Sequence, residues 1–329
     1  MALLVDSRLA VRGLGIATVT DRLVDALAAQ PSIRVSRWQA GGAWGGRVQV
    51  ATLGRSGLFD LSPRLDPRTR RFDVIHSLSN IGPVFPGPAS VVTVHDLLHR
   101  RSRRARDRAF GFLLGRSVAG AGRVVAVSGR TAAEITTTWP ALQGRVSVIP
   151  HGLRSLGDPS ASRTHVLAFG GGGDPRKRVD LMVAAYRRYQ ALDPDPVPLV
   201  VLARAGLTNG QRLELVAAGA RVVDQATPEE VDRLMAGAAA VVYPSTTEGF
   251  GLPILEAAEV ATPVVMDRAA DVAHEVLGRH CVLVDGCDPE AWGAAIRGAV
   301  EGGPVAAGLD LPDWAEVARR YVDLYRQVA

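Results

Sequence analysis

Short apolar runs alternate with amphipathic helical stretches along the whole chain of 329 residues. This alternation is typical of β-α-β units, in which parallel strands are joined by helices. Strands are predicted at 3–6, 73–76, 91–95, 123–128 and 146–150, and then at 166–169, 199–203, 221–224, 240–243, 263–266 and 282–284. The segment 153–164 between the two groups is rich in Ser, Gly, Asp and Pro and is predicted to be a linker.

The two groups of strands predict an α/β protein with two parallel-sheet domains, 1–152 and 165–310, that face one another across a cleft. The last segment, 311–329, has apolar residues at helical spacing and predicts an amphipathic helix. In open parallel sheets, ligands bind at the carboxyl ends of the strands. Functional residues are therefore expected directly after strands.

A glycine-rich turn at 170–177 follows the predicted strand 166–169. It ends in Arg176 and Lys177, and Lys177 is the single lysine among 38 lysines and arginines. Backbone N–H groups in such a turn attract an anion, and a compact ammonium adds a point charge. The pattern indicates a phosphate site, and an accident of codon usage is the alternative explanation for the lone lysine.

Two glutamates, Glu248 and Glu256, follow the predicted strand 240–243 and are separated by seven residues. The residues between them include Gly249, Phe250, Gly251 and Leu252. Glycines let a backbone approach a ligand closely, and a helix predicted to begin near Pro253 presents N–H groups to a diphosphate. Carboxylates accept hydrogen bonds from sugar hydroxyls. The segment indicates a nucleotide-sugar site, although Glu256 taken alone also fits a solvated helix face.

These motifs resemble the retaining GT-B glycosyltransferases of family 4, which use nucleotide sugars, and the resemblance covers nearly the whole chain. The segment 244–256 resembles the E-x7-E signature of that family, and 174–177 resembles its phosphate-binding segment. Four further segments match in the expected order: Asp6-Ser7-Arg8 with Gly13-Leu14-Gly15, Thr93-Val94-His95-Asp96-Leu97, Val148-Ile149-Pro150-His151-Gly152, and the helix from Asp313 to Tyr325. The resemblance implies two Rossmann-like domains, with the last helix crossing back to the first domain.

The resemblance also implies roles for residues of the second domain. Lys177 and Arg176 would neutralise the donor diphosphate and so stabilise the leaving group. Glu256 would hold the ribose hydroxyls. Glu248 and the backbone N–H groups of 249–252 would position the donor sugar and its phosphate.

In the first domain, the resemblance implies that Gly13 and Gly15 close over the diphosphate. His95 would lie beside the reacting centre, and a histidine satisfied at a strand end is the plainer alternative. Ile16 and Ala17 stand where many relatives carry Arg and Tyr. Gly171, in the second domain, occupies a place where some relatives carry a further phosphate-binding Arg.

The implied reaction moves a sugar from the nucleotide-diphosphate donor to an acceptor hydroxyl with retention at the anomeric carbon. It requires no protein nucleophile, no metal and no cofactor. The acceptor is left open among a sugar, a lipid-linked glycan and a natural product. Asp193-Pro194-Asp195 matches a metal-binding D-x-D, but it precedes the predicted strand 199–203 and is interpreted as a loop.

Two other functions remain alternatives. One is a catalytically silent nucleotide-sugar-binding or scaffold protein, and the other is a nucleotide-sugar epimerase on the same two-domain plan. A phosphorylase that uses pyridoxal phosphate needs a lysine for the Schiff base. The single lysine, Lys177, already belongs to the predicted phosphate segment, so this function is disfavoured.

Aromatic side chains and strand-end loops are candidates for acceptor and base contacts. Trp38 and Trp44 lie in a glycine-rich stretch, which predicts either a hairpin or loop with surface-packed aromatics or a mobile lid over the acceptor. The loops 203–205 and 225–228 follow predicted strands and are candidates for base recognition by position alone.

Positive charge is concentrated in the segment from Arg100 to Arg108, in a chain of net charge +5. The segment fits a solvated helix face, a phosphorylated acceptor, or a peripheral contact with anionic lipid. Nucleic acid is disfavoured, since no aromatic residues interleave the arginines. The early Asp6 argues against a signal peptide, and the two cysteines form no metal-ligand cluster. We therefore expect a cytoplasmic protein; the sequence does not indicate its oligomeric state.

Overall fold

The computed structural model divides into two compact units, Met1–Gly152 with Leu311–Ala329, and Leu153–Asp310. We call them the N-terminal unit and the C-terminal unit and describe each by itself. The structure describes residues 1–7, 15–38, 49–50, 69–80, 82–87, 89–97, 105–153, 156, 162–171, 175–203, 206–247, 250–270, 277, 281–303, 309 and 311–329.

The described part of the N-terminal unit contains a seven-stranded sheet in the order β3-β2-β1-β4-β5-β6-β7. Every pair of neighbouring strands is parallel. The strands are β1 Ala2–Asp6, β2 Arg34–Trp38, β3 Gln49–Val50, β4 Val74–Ser77, β5 Ser90–Val94, β6 Arg123–Ala126 and β7 Val146–Val148. The strand order reverses between β1 and β4, which makes the carboxyl ends of these two strands the expected ligand edge.

Four helices of the described N-terminal unit follow its strands: α1 Gly15–Ala28, α2 Ala105–Gly120, α3 Gly129–Thr138 and, after the chain has returned from the other unit, α9 Trp314–Arg326. The inner face of α9 buries Trp314, Val317, Ala318, Tyr321 and Tyr325. Asp313 begins this helix by accepting a hydrogen bond from Glu316 N at 2.7 Å, a common N-cap.

The described part of the C-terminal unit contains a six-stranded parallel sheet in the order β10-β9-β8-β11-β12-β13. Its strands are β8 His165–Phe169, β9 Leu199–Leu202, β10 Arg221–Val223, β11 Ala238–Tyr243, β12 Val264–Asp267 and β13 Cys281–Val284. Its helices are α4 Val179–Leu192, α5 Asn209–Ala217, α6 Pro228–Ala236, α7 Leu252–Glu259 and α8 Pro289–Gly302. The order reverses between β8 and β11, again at the expected ligand edge.

The alternation of apolar runs and helical stretches correctly predicted the fold class, since both sheets are parallel and Rossmann-like. Central strands are buried on both faces, as in β11, where all six residues Ala238–Tyr243 are buried. Such strands read as continuous apolar runs, which is why the sequence reveals them.

The strand β2 was not predicted from the sequence. The prediction that Trp38 belongs to a surface loop or an acceptor lid is wrong. Trp38 is 2% exposed, pairs with Asp6 and packs against Leu4. Arg37 interrupts the apolar pattern, yet it is buried, with its guanidinium 2.5 Å from Asp21. Trp44 lies outside the described residues.

Candidate functional site

The glycine-rich turn of the C-terminal unit lies where the strand order reverses. β8 ends at Phe169, and its neighbour β11 ends at Tyr243, whose ring meets that of Phe169 edge-on with centroids 6.0 Å apart. A short 3-10 turn, Pro175–Lys177, then leads into α4. The predicted phosphate residues Arg176 and Lys177 therefore lie at the carboxyl edge of the sheet.

The ammonium of Lys177 is held by Tyr243. Its Nζ donates to the Tyr243 hydroxyl at 2.6 Å and lies 4.6 Å from the centroid of the same ring. A cation over the face of an aromatic ring is attracted by the ring quadrupole. Lys177 is half-buried, so its charge has both a fixed place and access to solvent.

Gly171 makes room for the stem of Lys177. A Cβ placed on Gly171 would stand 2.7 Å from Lys177 Cγ, closer than two carbons tolerate. The glycine at this position therefore has a packing reason, and the side chain that some relatives carry here would displace the lysine.

The two arginines beside Lys177 connect the turn to neighbouring loops. Arg176 Nη1 approaches Thr247 O at 3.5 Å, which links the turn to the segment after β11. Arg178 has a left-handed backbone with φ of 44°, and its Nη1 lies 2.6 Å from Oδ2 of the buried Asp267 at the end of β12. A non-glycine residue in this conformation costs about 1 kcal/mol, and the ion pair offsets that cost. Neither Arg178 nor Asp267 was predicted from the sequence to belong to the site.

The second predicted motif enters α7 as expected. Gly251 is its N-cap, with φ of 74°, a left-handed conformation that glycine adopts without strain. The N–H groups of Ile254 and Leu255 bond to Gly251 O at 3.0 and 3.3 Å, and Pro253 has no N–H. The N–H of Leu252 is therefore the first-turn donor that the helix itself leaves without an acceptor.

The remaining residues of this motif divide into two groups. Phe250 and Glu256 are buried, at 5% and 6% exposed, and Glu256 lies in the second turn of α7 among buried apolar residues. Glu248 and Gly249 lie outside the described residues. The structure thus brings Arg176, Lys177 and Thr247 together at one edge of the sheet, and the role of each glutamate stays a prediction.

In the N-terminal unit, His95 follows β5 and is 6% exposed. Its Nε2 donates to Leu78 O at 2.8 Å, and its backbone N–H donates to Asn80 Oδ1 at 2.6 Å. Its Nδ1 lies 3.2 Å from Nε2 of His151. Because a carbonyl can only accept, Nε2 of His95 carries the ring proton. Both ring nitrogens are engaged within the protein, so a contact with a sugar requires one of them to be released.

His151 belongs to the segment 148–152 that resembles a family motif, and the sequence predicted no function for its side chain. Its ring stacks on Trp314 with centroids 6.1 Å apart. Burial lowers the pKa of His95 and lowers that of His151 well below its usual value, and the charges of neighbouring groups lower the pKa of His151 further. Both rings are therefore neutral at physiological pH.

Three of the other predicted positions lie at the ends of helices. Gly15 is the exposed first residue of α1, and Gly13 lies outside the described residues. Asp193 caps the C-terminus of α4 in the loop before β9, as interpreted from the sequence. Of the base-recognition loops, Thr227 is the N-cap of α6, and 204–205 lie outside the described residues. The described residues contain no group of three or more potential metal ligands.

Two family models match the chain. "Glycosyltransferase Family 4" matches residues 15–154, and "Glycosyl transferases group 1" matches residues 163–301. Together they extend over most of both units.

Relatives of similar sequence include two D-inositol 3-phosphate glycosyltransferases. The one from Nocardioides sp. is 32% identical over 49% of this chain and 41% of that protein, and the one from Geodermatophilus obscurus is 34% identical over 55% and 46%. The chain thus spans about half the length of the relatives that it matches.

Solved structures with this fold align over nearly the full chain. Sucrose-phosphate synthase from Thermosynechococcus elongatus has a TM-score of 0.71 at 18% identity, covering 99% of this chain and 98% of that one. Anabaena Alr3699/HepE, solved in complex with UDP and glucose, has a TM-score of 0.70 at 15% identity, covering 99% of each chain. With both family models and the fold in agreement, the chain belongs to the group 1, family 4 glycosyltransferases of GT-B fold.

Proposed function

We propose that the protein transfers a sugar from a nucleotide-diphosphate donor to an acceptor hydroxyl, with retention at the anomeric carbon and without a metal. The observation that carries the proposal is the ammonium of Lys177, fixed by Tyr243 at the switch point of the C-terminal sheet. A diphosphate placed there would meet Lys177 and Arg176, and the N–H of Leu252 is proposed as a further donor. UDP and glucose in the HepE structure support a donor of this class.

In the proposed mechanism, the protein stabilises the leaving diphosphate. Negative charge grows on the diphosphate as the glycosidic bond breaks, and a preorganised cation lowers the energy of that state more than that of the ground state. The departing phosphate takes the acceptor proton on the face where the sugar is transferred, which retains the anomeric configuration. Glu248 and Glu256 are proposed to hold the donor sugar and the ribose.

The names of the relatives suggest the first acceptor to test. D-inositol 3-phosphate glycosyltransferases are named for a phosphorylated polyol. The acceptor of this chain is proposed to be a polyol or sugar, with D-inositol 3-phosphate as the first candidate.

The donor site can be tested by thermal unfolding with UDP, GDP, dTDP and ADP, each with and without EDTA. A nucleotide at about 100 times its Kd should stabilise the protein by about 2.7 kcal/mol. The stabilising nucleotide sugar is then incubated with D-inositol 3-phosphate and other acceptors, and NMR reports the anomeric configuration. An EDTA-sensitive reaction or an inverted product would contradict the proposal. Binding without turnover on any acceptor would favour a nucleotide-sugar-binding protein.

Gly171→Ala should weaken nucleoside-diphosphate binding about tenfold, equivalent to about 1.4 kcal/mol. The added Cβ displaces the stem of Lys177 and carries its ammonium away from Tyr243. Titration calorimetry with the stabilising nucleotide measures the effect. Gly298→Ala is the matched control, since a Cβ there meets nothing within 4 Å. Equal affinities for the two variants would show that the position of Lys177 does not matter for the ligand.

A further inference from the structure

One face of α2 exposes large apolar side chains next to arginines. Phe112 is 68% exposed and Leu113 is 40% exposed, and the exposed Arg108 and Arg116 lie one helical turn before and after Phe112. On a helix, residues four apart are neighbours on the surface. The opposite face of α2 packs into the core of the N-terminal unit, where Leu114 and Val118 are fully buried.

The loop before β5 extends this face. The guanidinium of Arg116 lies 4.7 Å from the ring centroid of Phe85, which is itself 46% exposed. The next residue, Pro86, packs closely on Gly120 at the end of α2, where an added Cβ would stand 3.0 Å from Pro86 Cδ. We call the five residues Arg108, Phe112, Leu113, Arg116 and Phe85 the α2 face.

Positive charge predominates around the α2 face. Among the described residues no carboxylate forms an ion pair with Arg108 or Arg116, and Asp107 is the single acidic residue of α2. In the sequence, six arginines and this aspartate lie between positions 100 and 108. A partner that covers the α2 face must therefore offer negative charge and apolar surface side by side.

We propose that the α2 face binds the surface of an anionic lipid bilayer. Basic residues on a helix attract acidic headgroups, while aromatic and aliphatic side chains enter the boundary between headgroups and acyl chains. The apolar part of the face is three side chains that project from a helix and a loop, which suits insertion into a soft interface. None of the described helices is long and apolar enough to span a membrane.

The test is flotation of the purified chain with vesicles of neutral phosphatidylcholine and with vesicles that contain about 30% phosphatidylglycerol. Binding is expected to the anionic vesicles alone. It should be lost near 1 M salt, where the Debye length is about 3 Å. Binding does not require turnover, so failure of this proposal is distinguishable from failure of the proposed transferase activity.

Two pairs of variants distinguish vesicle binding through the α2 face from non-specific binding through other exposed apolar or basic residues. Phe112→Ser should weaken vesicle binding about tenfold or more, whereas Leu213→Ser should leave it unchanged, although Leu213 on α5 is equally exposed at 69%. Arg116→Gln should weaken binding about fivefold, and Arg187→Gln, at an exposed position on α4, should not. Circular dichroism and thermal unfolding confirm that each variant is folded.

Several results would overturn the proposal. Equal binding to neutral and anionic vesicles, no binding to either, or equal effects of Phe112→Ser and Leu213→Ser would each do so. A dimer in light scattering that Phe112→Ser dissociates, without vesicle binding, would identify the face as a contact between two copies of the chain.

Discussion

Lys177→Ala should lower kcat/KM for sugar transfer by about 100- to 1,000-fold. The fold should survive, because the side chain is half-buried and the ring of Tyr243 remains packed against Phe169. Steady-state kinetics with the donor identified by thermal unfolding measure the effect. A near-normal kcat/KM would contradict the assignment of Lys177 to the leaving group.

Two further variants test whether the position of the Lys177 ammonium matters in addition to its charge. Tyr243→Phe removes the hydroxyl that accepts from Nζ at 2.6 Å but keeps the ring, so we expect a smaller loss, about tenfold. Lys177→Arg keeps the charge in a broader, planar group that the space beside Gly171 does not match. Lys177→Arg should therefore recover little of the activity that Lys177→Ala loses. Full rescue by arginine would mean that charge alone, without position, is sufficient.

Acid should destabilise the N-terminal unit through His76. This ring is fully buried, with Nδ1 2.6 Å from Tyr325 Oη and Nε2 2.8 Å from Thr93 Oγ1. Burial, with a smaller contribution from the charge of His95, lowers the pKa of His76 from 6.5 to about 3. His76 is therefore protonated below about pH 6.5 in the unfolded chain, but only below about pH 3 in the folded chain. The contribution to stability is complete above pH 6.5 and is lost as the pH falls from 6.5 towards 3.

The size of this effect follows from linkage. A group protonated only in the unfolded state lowers the free energy of unfolding by about 1.4 kcal/mol per pH unit, which amounts to about 3 kcal/mol by pH 4. His76→Gln should be about 1–3 kcal/mol less stable at pH 7, because a glutamine matches these bonds imperfectly. As the pH falls, the free energy of unfolding of this variant should decrease less steeply than that of the unaltered protein, by about 1.4 kcal/mol per pH unit. Urea unfolding of both proteins between pH 7 and pH 4 measures the two slopes, and parallel slopes would contradict the prediction.

The hydrogen bonds of His76 also explain why the last helix belongs to the N-terminal unit. Tyr325 and Tyr321 on α9 both enter the network, since Thr93 Oγ1 also lies 3.1 Å from Tyr321 Oη. Burial raises the pKa of both tyrosines, so they stay protonated and can donate. A polar network buried against apolar strands stabilises one register of the helix, because a shift would leave its members unsatisfied.

Much of the fold was predictable because its information is local. β11 and residues 166–169 of β8 are continuous apolar runs, and α9 has apolar residues at helical spacing. The type of each element is therefore evident from a few neighbouring residues. The strand β2 was not predictable in this way. Its Arg37 becomes a core residue through Asp21 on α1, a partner sixteen positions earlier in the chain.

The candidate site shows the same division. The glycines before Lys177 and around Phe250 predict a close approach of the backbone to a ligand, and this prediction was evident from the residues alone. The contact between Lys177 and Tyr243 was not, nor was the ion pair between Arg178 and Asp267, because these partners are 66 and 89 residues apart.

By itself, the sequence determined the period of most elements and the class of the fold, and it indicated which residues are candidates for holding a phosphate. Only the tertiary structure decided which of those residues meet. Tyr243 reaches Lys177 because β8 and β11 are neighbours in the sheet although two other strands separate them in the chain. The physical reason is that hydrophobic periodicity is set by a residue's immediate neighbours, whereas strand order is set by the packing of the whole sheet.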